Sequence, residues 1–279
     1  MRYQETLYSE WGQNFQQGEI LFEANTGHQH LVIFENSRFG RVMALDGVIQ
    51  TTEADEFVYH EMMVHVPMNS HPSPKRVLII GGGDGGILRE VLKHPTVESV
   101  TQVEIDRAVV AMCIEYFPKH SSGAFDDPRL KLVIADGAQF ITENTEQFDV
   151  IITDSTDPIG PGEVLFESAF YQGCASALTA DGILITQNGV PYMQGDEVTN
   201  TFRRWKPYFE TRSFYLTPVP TYAGGAMAMG FASKSVITMP TLEQLSARTQ
   251  ALSRLNYYTP EVHQGAFGLP QFVKSLMVD

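Results

Sequence analysis

A glycine-rich turn between an apolar run and a helix-forming run constrains the fold of this chain more than any other feature. The sequence from Arg76 to Glu90 is RVLIIGGGDGGILRE, in which Gly81, Gly83 and Gly86 match the spacing G-x-G-x-x-G at a strand-to-helix junction. Glycines permit a tight turn there and let a ligand approach the bare backbone. We therefore predict that Gly81 and Gly83 help to bind a nucleotide or nucleoside; the alternative is a turn with only a structural role.

The chain after residue 75 alternates between apolar runs and helix-like runs. The predicted strands are 76–80, 99–103, 130–134, 149–153 and 182–186, and the predicted helices are 86–93, 106–116, 138–142 and 167–178. The strands are continuously apolar, which is typical of parallel strands that helices bury on both faces. The pattern predicts an α/β domain with a mostly parallel sheet over residues 67–279.

Residues 1–66 have a different pattern, with short β-type runs separated by turn signals. The runs are 19–23, 30–34, 41–45 and 48–51, and the Asp46-Gly47 pair between the last two predicts a hairpin. A helix is predicted from about Glu53 to Val66, ending near Pro67. We therefore expect a small N-terminal antiparallel β domain that includes this helix. A sheet of this size needs further packing, so a homodimer or homotetramer is expected.

Carboxylates follow several of the predicted parallel strands. Asp84 lies in the glycine-rich turn, and Glu104, Asp136 and Asp154 stand at the ends of later strands. Ligands of open parallel sheets bind outside the carboxyl ends of the strands, where these four side chains would meet. Each aspartate alone could instead be a helix cap. Four acidic residues at strand ends favour a shared site.

The acidic residues also indicate the charge of the ligand. A pyrophosphate over the turn would place negative charges beside Asp84, and one like-charge pair at about 4 Å costs about 4 kcal/mol at an effective dielectric of about 20. The turn has no lysine to offset this repulsion, and the whole chain has a formal net charge of −14. A nucleoside that carries a cation, such as an adenosyl sulfonium, is therefore preferred to a dinucleotide. The same charge disfavours nucleic acid and anionic lipid as partners.

The segment after Asp154 is rich in loop-forming residues. Asp154 and Asp157 lie three apart, and the sequence Pro-Ile-Gly-Pro-Gly follows them. A loop of this kind could cover a bound ligand as a lid. The alternative is an Asx turn followed by an ordinary connection.

Other features concern the compartment. The chain has no apolar run near the roughly 20 residues that span a bilayer, and its first residues lack the apolar core of a signal peptide. The two cysteines cannot form a disulfide framework. A cytoplasmic protein with no membrane partner is expected.

Five stretches of the sequence, in order, resemble the spermidine synthases, a family of polyamine aminopropyltransferases. They are FGRVMALDG at 39–47, DEFVYHEM at 55–62, VLIIGGGDGG at 77–86, DSTDP at 154–158 and PTY at 220–222. The resemblance implies an N-terminal β domain joined to a Rossmann-like domain of the class I methyltransferase type. It also implies transfer of the aminopropyl group of decarboxylated S-adenosylmethionine to putrescine, giving spermidine and methylthioadenosine. No metal or further cofactor is implied, since the sulfonium is a co-substrate.

The resemblance also implies roles for individual residues of the nucleoside site. Gln29 and Glu104 would hold the ribose, Asp136 and Gly137 the adenine side, and Pro161 would close over it in the lid.

The remaining roles concern the two amines. Asp84 and Asp154 would hold the aminopropyl amine, and Asp154 would accept the proton. The diamine channel would be lined by Tyr59, His60, Asp157, Gln187 and Tyr222.

Several other functions remain possible at this point. The acceptor could be cadaverine, agmatine or spermidine, because channel length is not readable from sequence. A methyltransferase would share the fold, but Asp84 would repel the carboxylate of intact S-adenosylmethionine. A non-catalytic module that binds a nucleoside or polyamine is a further alternative. A nicotinamide-dependent oxidoreductase is the weakest, because nothing offers a partner for hydride transfer.

Overall fold

The structure is a computed structural model that describes residues 1–143, 145, 147–156 and 160–278, with the backbone alone at 160 and 161. Two antiparallel sheets form the N-terminal part. One is the pair β1 (Arg2–Gln4) and β2 (Asn14–Gln16); the other consists of β3 (Ile20–Asn25), β4 (His30–Asn36), β5 (Gly40–Leu45) and β6 (Val48–Thr52), paired in sequence order. The four-stranded sheet confirms the predicted small β domain. The pair β1–β2 was not predicted, because three-residue strands leave little periodicity to detect.

The rest of the chain builds a seven-stranded sheet with helices on both faces. Its described elements are α1 (Glu56–Ser70), β7 (Arg76–Gly81), α2 (Gly86–Leu92), β8 (Ser99–Glu104), α3 (Arg107–Tyr116), α4 (Pro118–Ser121), β9 (Leu130–Ile134), α5 (Gly137–Thr142), β10 (Phe148–Asp154), α6 (Ser168–Ala177), β11 (Leu178–Gln187), α7 (Gly195–Trp205), β12 (Thr211–Thr217), β13 (Met227–Ser233), α8 (Leu242–Thr249), α9 (Pro260–Ala266) and α10 (Gln271–Leu276). Short 3-10 helices span Ala124–Asp126 and Gly160–Phe166.

The sheet order is β12-β13-β11-β10-β7-β8-β9. The five strands from β11 to β9 are parallel, while β13 runs antiparallel to both β11 and β12. The predicted α/β class with a mostly parallel sheet is therefore confirmed. Two separate buried clusters pack on the two faces of the sheet, which explains why its strands are apolar on both faces. One cluster includes Ile79 and Ile152, and the other includes Leu78 and Ile151.

The parallel register brings the carboxyl ends of the strands to one edge. Asp154 at the end of β10 lies opposite Gly81 at the end of β7, and Glu104 ends the neighbouring β8. The sequence after each of these strands therefore enters the same space.

The prediction that the first helix ends near Pro67 is wrong. Helix α1 includes Pro67 and continues to Ser70, and its residues from Val58 onward are buried. An interior proline costs about 3 kcal/mol of helix stability. Here the amide of His71 donates to the carbonyl of Pro67 (2.9 Å) and the hydroxyl of Ser70 donates to that of Val66 (2.8 Å). Burial and these bonds outweigh the local cost, so the predicted boundary between 66 and 67 falls inside a helix.

Within the described residues, no helix has both the length and the apolar character required to cross a lipid bilayer.

Candidate active site

One cleft lies at the carboxyl edge of the parallel strands, between that edge and the N-terminal sheet. Most of the residues singled out from the sequence line it: Gln29, Tyr59, His60, Gly81, Gly83, Asp84, Glu104, Asp136, Gly137, Asp154, Gln187 and Tyr222. Asp157 lies outside the described residues, as does the side chain of Pro161. The structure thus brings together residues that are up to 193 positions apart in the chain, from Gln29 to Tyr222.

The glycine-rich turn forms the floor of the cleft. Gly81 and Gly82 have φ values of 85° and 68°, in the left-handed region that favours glycine. A Cβ on Gly81 would overlap the carbonyl oxygen of Asp154, and one on Gly83 would lie 3.0 Å from Oε2 of Glu104. The bare backbone is therefore required by close neighbours, two of which are the predicted site residues.

Glu104, which the sequence predicts to contact a ribose, lines the cleft at the end of β8. Its Oε1 accepts from the amide of Asp106 (2.9 Å), and Oδ2 of Asp106 in turn accepts from Nε2 of Gln29 (3.2 Å). Burial raises the pKa of Glu104 to about 7, and the nearby negative charges of Asp154 and Asp106 also raise it. Backbone hydrogen bonds to Glu104 lower its pKa but do not cancel these effects. Asp106 therefore links Gln29 to Glu104, a role that the sequence did not suggest.

Asp136 has two roles at once. Its Oδ1 accepts from the amide of Ala138 (2.8 Å), so it caps α5, and its side chain also lines the cleft. The cap interpretation and the site interpretation of this residue are therefore compatible.

Asp84 is paired with a histidine from α1. Nε2 of His60 lies 3.1 Å from Oδ2 of Asp84, and the amide of Gly86 donates to Oδ1 of Asp84 (2.8 Å). Burial favours the neutral form of Asp84, but the charge and hydrogen bond of His60 outweigh it and hold the pKa of Asp84 well below its ordinary value. Gly86 also makes room for this pair, because a Cβ there would overlap the His60 ring.

His60 has a second carboxylate partner, Glu56, one turn earlier on α1. Its Nδ1 lies 2.5 Å from Oε2 of Glu56. Burial alone would lower the pKa of His60, but Asp84 and Glu56 together raise it to about 10. Glu56 was not among the predicted site residues, although its spacing of four from His60 on a helix was a usable signal.

Asp154 has a neutral partner instead. The hydroxyl of Tyr59 donates to its Oδ1 (2.6 Å). Burial and the negative charge of Asp84 raise the pKa of Asp154 to about 6. The hydrogen bond from Tyr59 and the charge of His60 lower this pKa but do not outweigh the first two effects. Two aspartates in one cleft thus differ strongly in their affinity for a proton.

Aromatic and amide groups continue the cleft beyond Asp154. The rings of Tyr59 and Tyr222 meet edge to face at 5.9 Å, and the hydroxyl of Tyr222 donates to the carbonyl of Gln50 (2.7 Å). Gln187 donates from Nε2 to the carbonyl of Thr156 (3.1 Å), which fixes its amide at the cleft wall. Aromatic faces and carbonyl groups along the wall of a cleft suit a flexible chain that carries amines.

The N-terminal segment contributes residues that the sequence did not single out. Glu5, Leu7 and Tyr8 line the cleft. The buried Glu5 accepts from the amide of Ile49 (3.0 Å) through Oε1 and from Nε2 of Gln13 (3.1 Å) through Oε2. No local motif marks these residues, since contacts with residues far away in the sequence hold them at the cleft.

The part of the chain that the structure describes contains no group of three or more His, Cys, Asp or Glu side chains that could hold a metal ion.

Two family models match the chain. The spermine/spermidine synthase domain matches residues 56–241, and the spermidine synthase tetramerisation domain matches residues 4–53. The first therefore covers most of the chain, including the glycine-rich turn and Asp154.

Curated proteins and solved structures agree with this match. Proteins named polyamine aminopropyltransferase from Pseudomonas syringae pathovar tomato and polyamine aminopropyltransferase 1 from Pseudomonas aeruginosa are 60% and 58% identical over 275 residues, which is 97% of this chain and 96% of each relative. A crystal structure of spermidine synthase with the transition-state analogue AdoDATO matches at 41% identity with a TM-score of 0.93, and spermidine synthase from Thermotoga maritima at 40% and 0.91, each over 99% of this chain and 94% of the other. The chain therefore belongs to the spermidine synthase family of polyamine aminopropyltransferases.

Proposed function

We propose that this chain transfers the aminopropyl group of decarboxylated S-adenosylmethionine to putrescine, giving spermidine and methylthioadenosine. The observation that carries the proposal is the pair Asp84 and Asp154 in one cleft, one held ionised by His60 and the other with a pKa near 6. The first suits a fixed partner for a cationic amine, and the second suits a proton acceptor. Putrescine as acceptor is supported by the two solved relatives that are named spermidine synthases.

The nucleoside of the donor would lie over the glycine-rich turn. Glu104, aided by Gln29, would accept hydrogen bonds from the ribose, and Asp136 with Gly137 would contact the adenine side. Pro161 would belong to the lid over it. Asp84 and Asp154 would then face the aminopropyl amine.

The diamine would lie in the part of the cleft that Tyr59 and Tyr222 line. His60, Asp157 and Gln187 would complete its walls. Carboxylates at both ends of this arrangement offset the repulsion that two cationic substrates experience in water, and they hold the reacting atoms in contact.

The reaction would be a direct displacement. The lone pair of the neutral acceptor nitrogen forms a bond to the aminopropyl carbon attached to sulfur. The carbon–sulfur bond breaks, its electron pair stays on sulfur, and methylthioadenosine leaves as a neutral thioether. The nitrogen that becomes cationic releases its proton to Asp154. Because the sulfonium provides the leaving group, no cofactor is required.

The proton transfer is eased by the environment of Asp154. A primary amine has a pKa near 10, and an ordinary aspartate near 4 would leave a gap worth about 8 kcal/mol. With the pKa of Asp154 at about 6, the difference is about 4, equivalent to about 5 kcal/mol. Lowering of the amine pKa by burial and by the sulfonium would reduce it further.

The fixed charge of Asp84 would also select the donor. Intact S-adenosylmethionine has a carboxylate on the carbon that bears the amine, and this group would lie near Asp84. Because the pKa of Asp84 is well below its ordinary value, the repulsion would persist at physiological pH. A methyltransferase function is disfavoured for this reason.

Assembly and location complete the proposal. We propose a cytoplasmic homo-oligomer, with a homotetramer preferred to a homodimer because residues 4–53 match a domain described by its role in tetramerisation.

The test is product analysis with decarboxylated S-adenosylmethionine and each amine in turn. Putrescine is expected to give spermidine and methylthioadenosine in equal amounts, with lower kcat/KM for cadaverine, agmatine and spermidine. A preference for one of those three would change the acceptor but keep the reaction class. Methyl transfer from intact S-adenosylmethionine, or binding without turnover, would contradict the proposal.

A further inference from the structure

The ring of His60 lies between two carboxylates. Nδ1 is 2.5 Å from Oε2 of Glu56, and Nε2 is 3.1 Å from Oδ2 of Asp84. A neutral imidazole carries one N–H and can donate to only one of these oxygens, whereas the imidazolium donates to both. The His60 side chain is only 4% exposed, so water cannot replace the missing donor. The two contacts therefore match a protonated ring between two ionised carboxylates.

Glu56 is itself held in place by α2. Oε2 of Glu56 accepts from Nη2 of Arg89 (2.8 Å) and Oε1 accepts from Nη1 (3.1 Å), a two-point contact with a planar guanidinium. Arg89 also donates to the carbonyl of His120 (2.6 Å) and to Oε1 of Glu90 (2.7 Å). The side chains of Glu56 and Arg89 are 13% and 16% exposed. These contacts form a chain of side chains with alternating charge, which extends from Asp84 to Glu90 behind the cleft.

The groups that face His60 come from several elements. They are Glu56 and Tyr59 on α1, Asp84 in the glycine-rich turn, Arg89 on α2 through Glu56, His120 on α4, and Asp154 at the end of β10. The ring of His120 is centred 6.0 Å away, and burial lowers its pKa, so it adds no fixed charge. Tyr59 stays a neutral donor because burial and Asp154 raise its pKa. The competition for a proton is therefore between His60 and the carboxylates.

We propose that Glu56 is a positioning residue that keeps the proton of this cluster on His60. Both Asp84 and Asp154 are then left ionised, and Asp154 is free to take the proton of the substrate. Without Glu56, the imidazolium would keep only Asp84 as an ion-pair partner, so its proton would be held less firmly and would be shared with the two aspartates. Glu56 touches no reacting atom and acts through His60. The consequence for turnover rests on the proposed aminopropyl transfer; the location of the proton does not.

The first test measures that location directly. The imidazole resonances of His60, assigned by their loss in His60→Asn, are followed by NMR against pH. In the wild-type protein the ring should stay protonated between about pH 6 and 9, because its pKa is raised to about 10. In Glu56→Gln the pKa of the ring should fall by about one unit or more, because the imidazolium loses one of its two ion-pair partners. A ring whose pKa is the same in Glu56→Gln as in the wild-type protein would overturn the proposal.

The second test uses the pH profile of kcat/KM for aminopropyl transfer. A proton held on the aspartates blocks Asp154, so the acid limb in Glu56→Gln should move up by about one pH unit and activity near pH 6.5 should fall about tenfold. The difference should shrink toward about pH 9, where that proton leaves. A loss that is equal at every pH would mark Glu56 as purely structural and would refute the proposal.

Glu98→Gln is the matched control. Glu98 forms an ion pair with Lys75 at 2.7 Å, but both side chains are more than half exposed and neither lines the cleft. Its pH profile should equal that of the wild-type protein. If Glu56→Gln fails to fold, Arg89→Lys keeps the charge but loses the two-point contact, and the same shift in smaller amount is expected. If the wild-type protein transfers no aminopropyl group, the NMR test still decides where the proton lies.

Discussion

Asp84 and Asp154 face the same cleft but have different partners. Asp84 contacts the imidazole of His60, whereas Asp154 contacts the neutral hydroxyl of Tyr59. A cation lowers the pKa of a neighbouring carboxyl far more than a neutral donor does, so the two aspartates are ionised over different pH ranges. At the scale of single residues, the proposed roles of Asp84 in binding an amine and of Asp154 in accepting a proton thus depend on their partners, His60 and Tyr59.

Replacing Asp154 tests the assignment of the proton acceptor. Asp154→Asn keeps the size of the side chain and can still contact Tyr59, but it cannot take a proton at neutral pH. We expect kcat to fall by at least about 100-fold, as is typical for loss of a general base. Affinity for methylthioadenosine, measured by calorimetry, should change less than about threefold, because the contacts of the nucleoside are intact. Equal losses of turnover and nucleoside affinity would show that Asp154 binds the donor or supports the fold instead.

The wild-type pH profile provides a second measurement on the same residue. The carboxylate form of Asp154 is the proposed acceptor, so activity is expected to be lost as pH falls through about 6, the pKa to which burial and Asp84 raise it. An ordinary aspartate would lose activity only near pH 4. Under rate-limiting chemistry, kcat should therefore rise between about pH 5 and 7 and continue toward alkaline pH as the amine becomes neutral. A flat profile from about pH 6 to 9 would count against this mechanism.

At the scale of elements, the N-cap of α3 couples the fold to the proposed nucleoside site. Oδ1 of Asp106 accepts from the amide of Ala108 (2.9 Å), and Oδ2 accepts from Thr26 (2.5 Å) and Gln29 (3.2 Å) in the turn between β3 and β4. The same residue thus begins a helix and joins two parts of the chain next to Glu104.

Asp106→Ala is expected to lower stability by about 1 to 2 kcal/mol, the usual effect of losing an N-cap. It should also weaken methylthioadenosine binding several-fold, because Gln29 loses the acceptor that orients it. Urea unfolding and calorimetry measure the two effects. Thr259→Ala is the matched control, since Thr259 caps α9 by accepting from the amide of Val262 (3.1 Å) and does not line the cleft. It should lose similar stability with no change in affinity. If both variants bind equally well, Asp106 has no role in the site.

The elements also show what could be predicted from the sequence. The carboxyl ends of parallel strands meet at one edge of the sheet, so the sequence predicts that Asp84, Glu104, Asp136 and Asp154 lie together, and the structure places all four in one cleft. Pro67 misled because a local rule against interior proline was outweighed by burial of α1. The contact between Glu56 and Arg89 depends on how α1 packs on α2, which no periodicity reports.

At the scale of the whole molecule, the N-terminal sheet leaves apolar surface exposed. Ile20 on the edge strand β3 is 44% exposed, and it lies in the segment that matches the tetramerisation domain. Exposed apolar residues on a sheet edge are candidates for contacts between subunits.

Light scattering should give a multiple of the 31.1 kDa chain mass, with four chains preferred. Ile20→Lys places a charge in the proposed contact and is expected to weaken assembly by about tenfold or more. Val236→Lys is the control, because Val236 is 76% exposed but lies outside residues 4–53. Its mass should equal that of the wild-type protein. A wild-type protein that stays monomeric at micromolar concentration would contradict the assembly proposal.

The space above Gly86 has a consequence for how such sequences can diverge. The imidazole at position 60 fills the volume that a methyl group at position 86 would need, so position 86 is not free to vary while that ring is present. A lineage that acquires alanine in the turn must first, or simultaneously, acquire a smaller side chain at position 60, and it then loses the pairing that keeps the turn aspartate charged. Alanine or a larger residue at position 86 should therefore appear in descendants only together with a smaller residue at position 60.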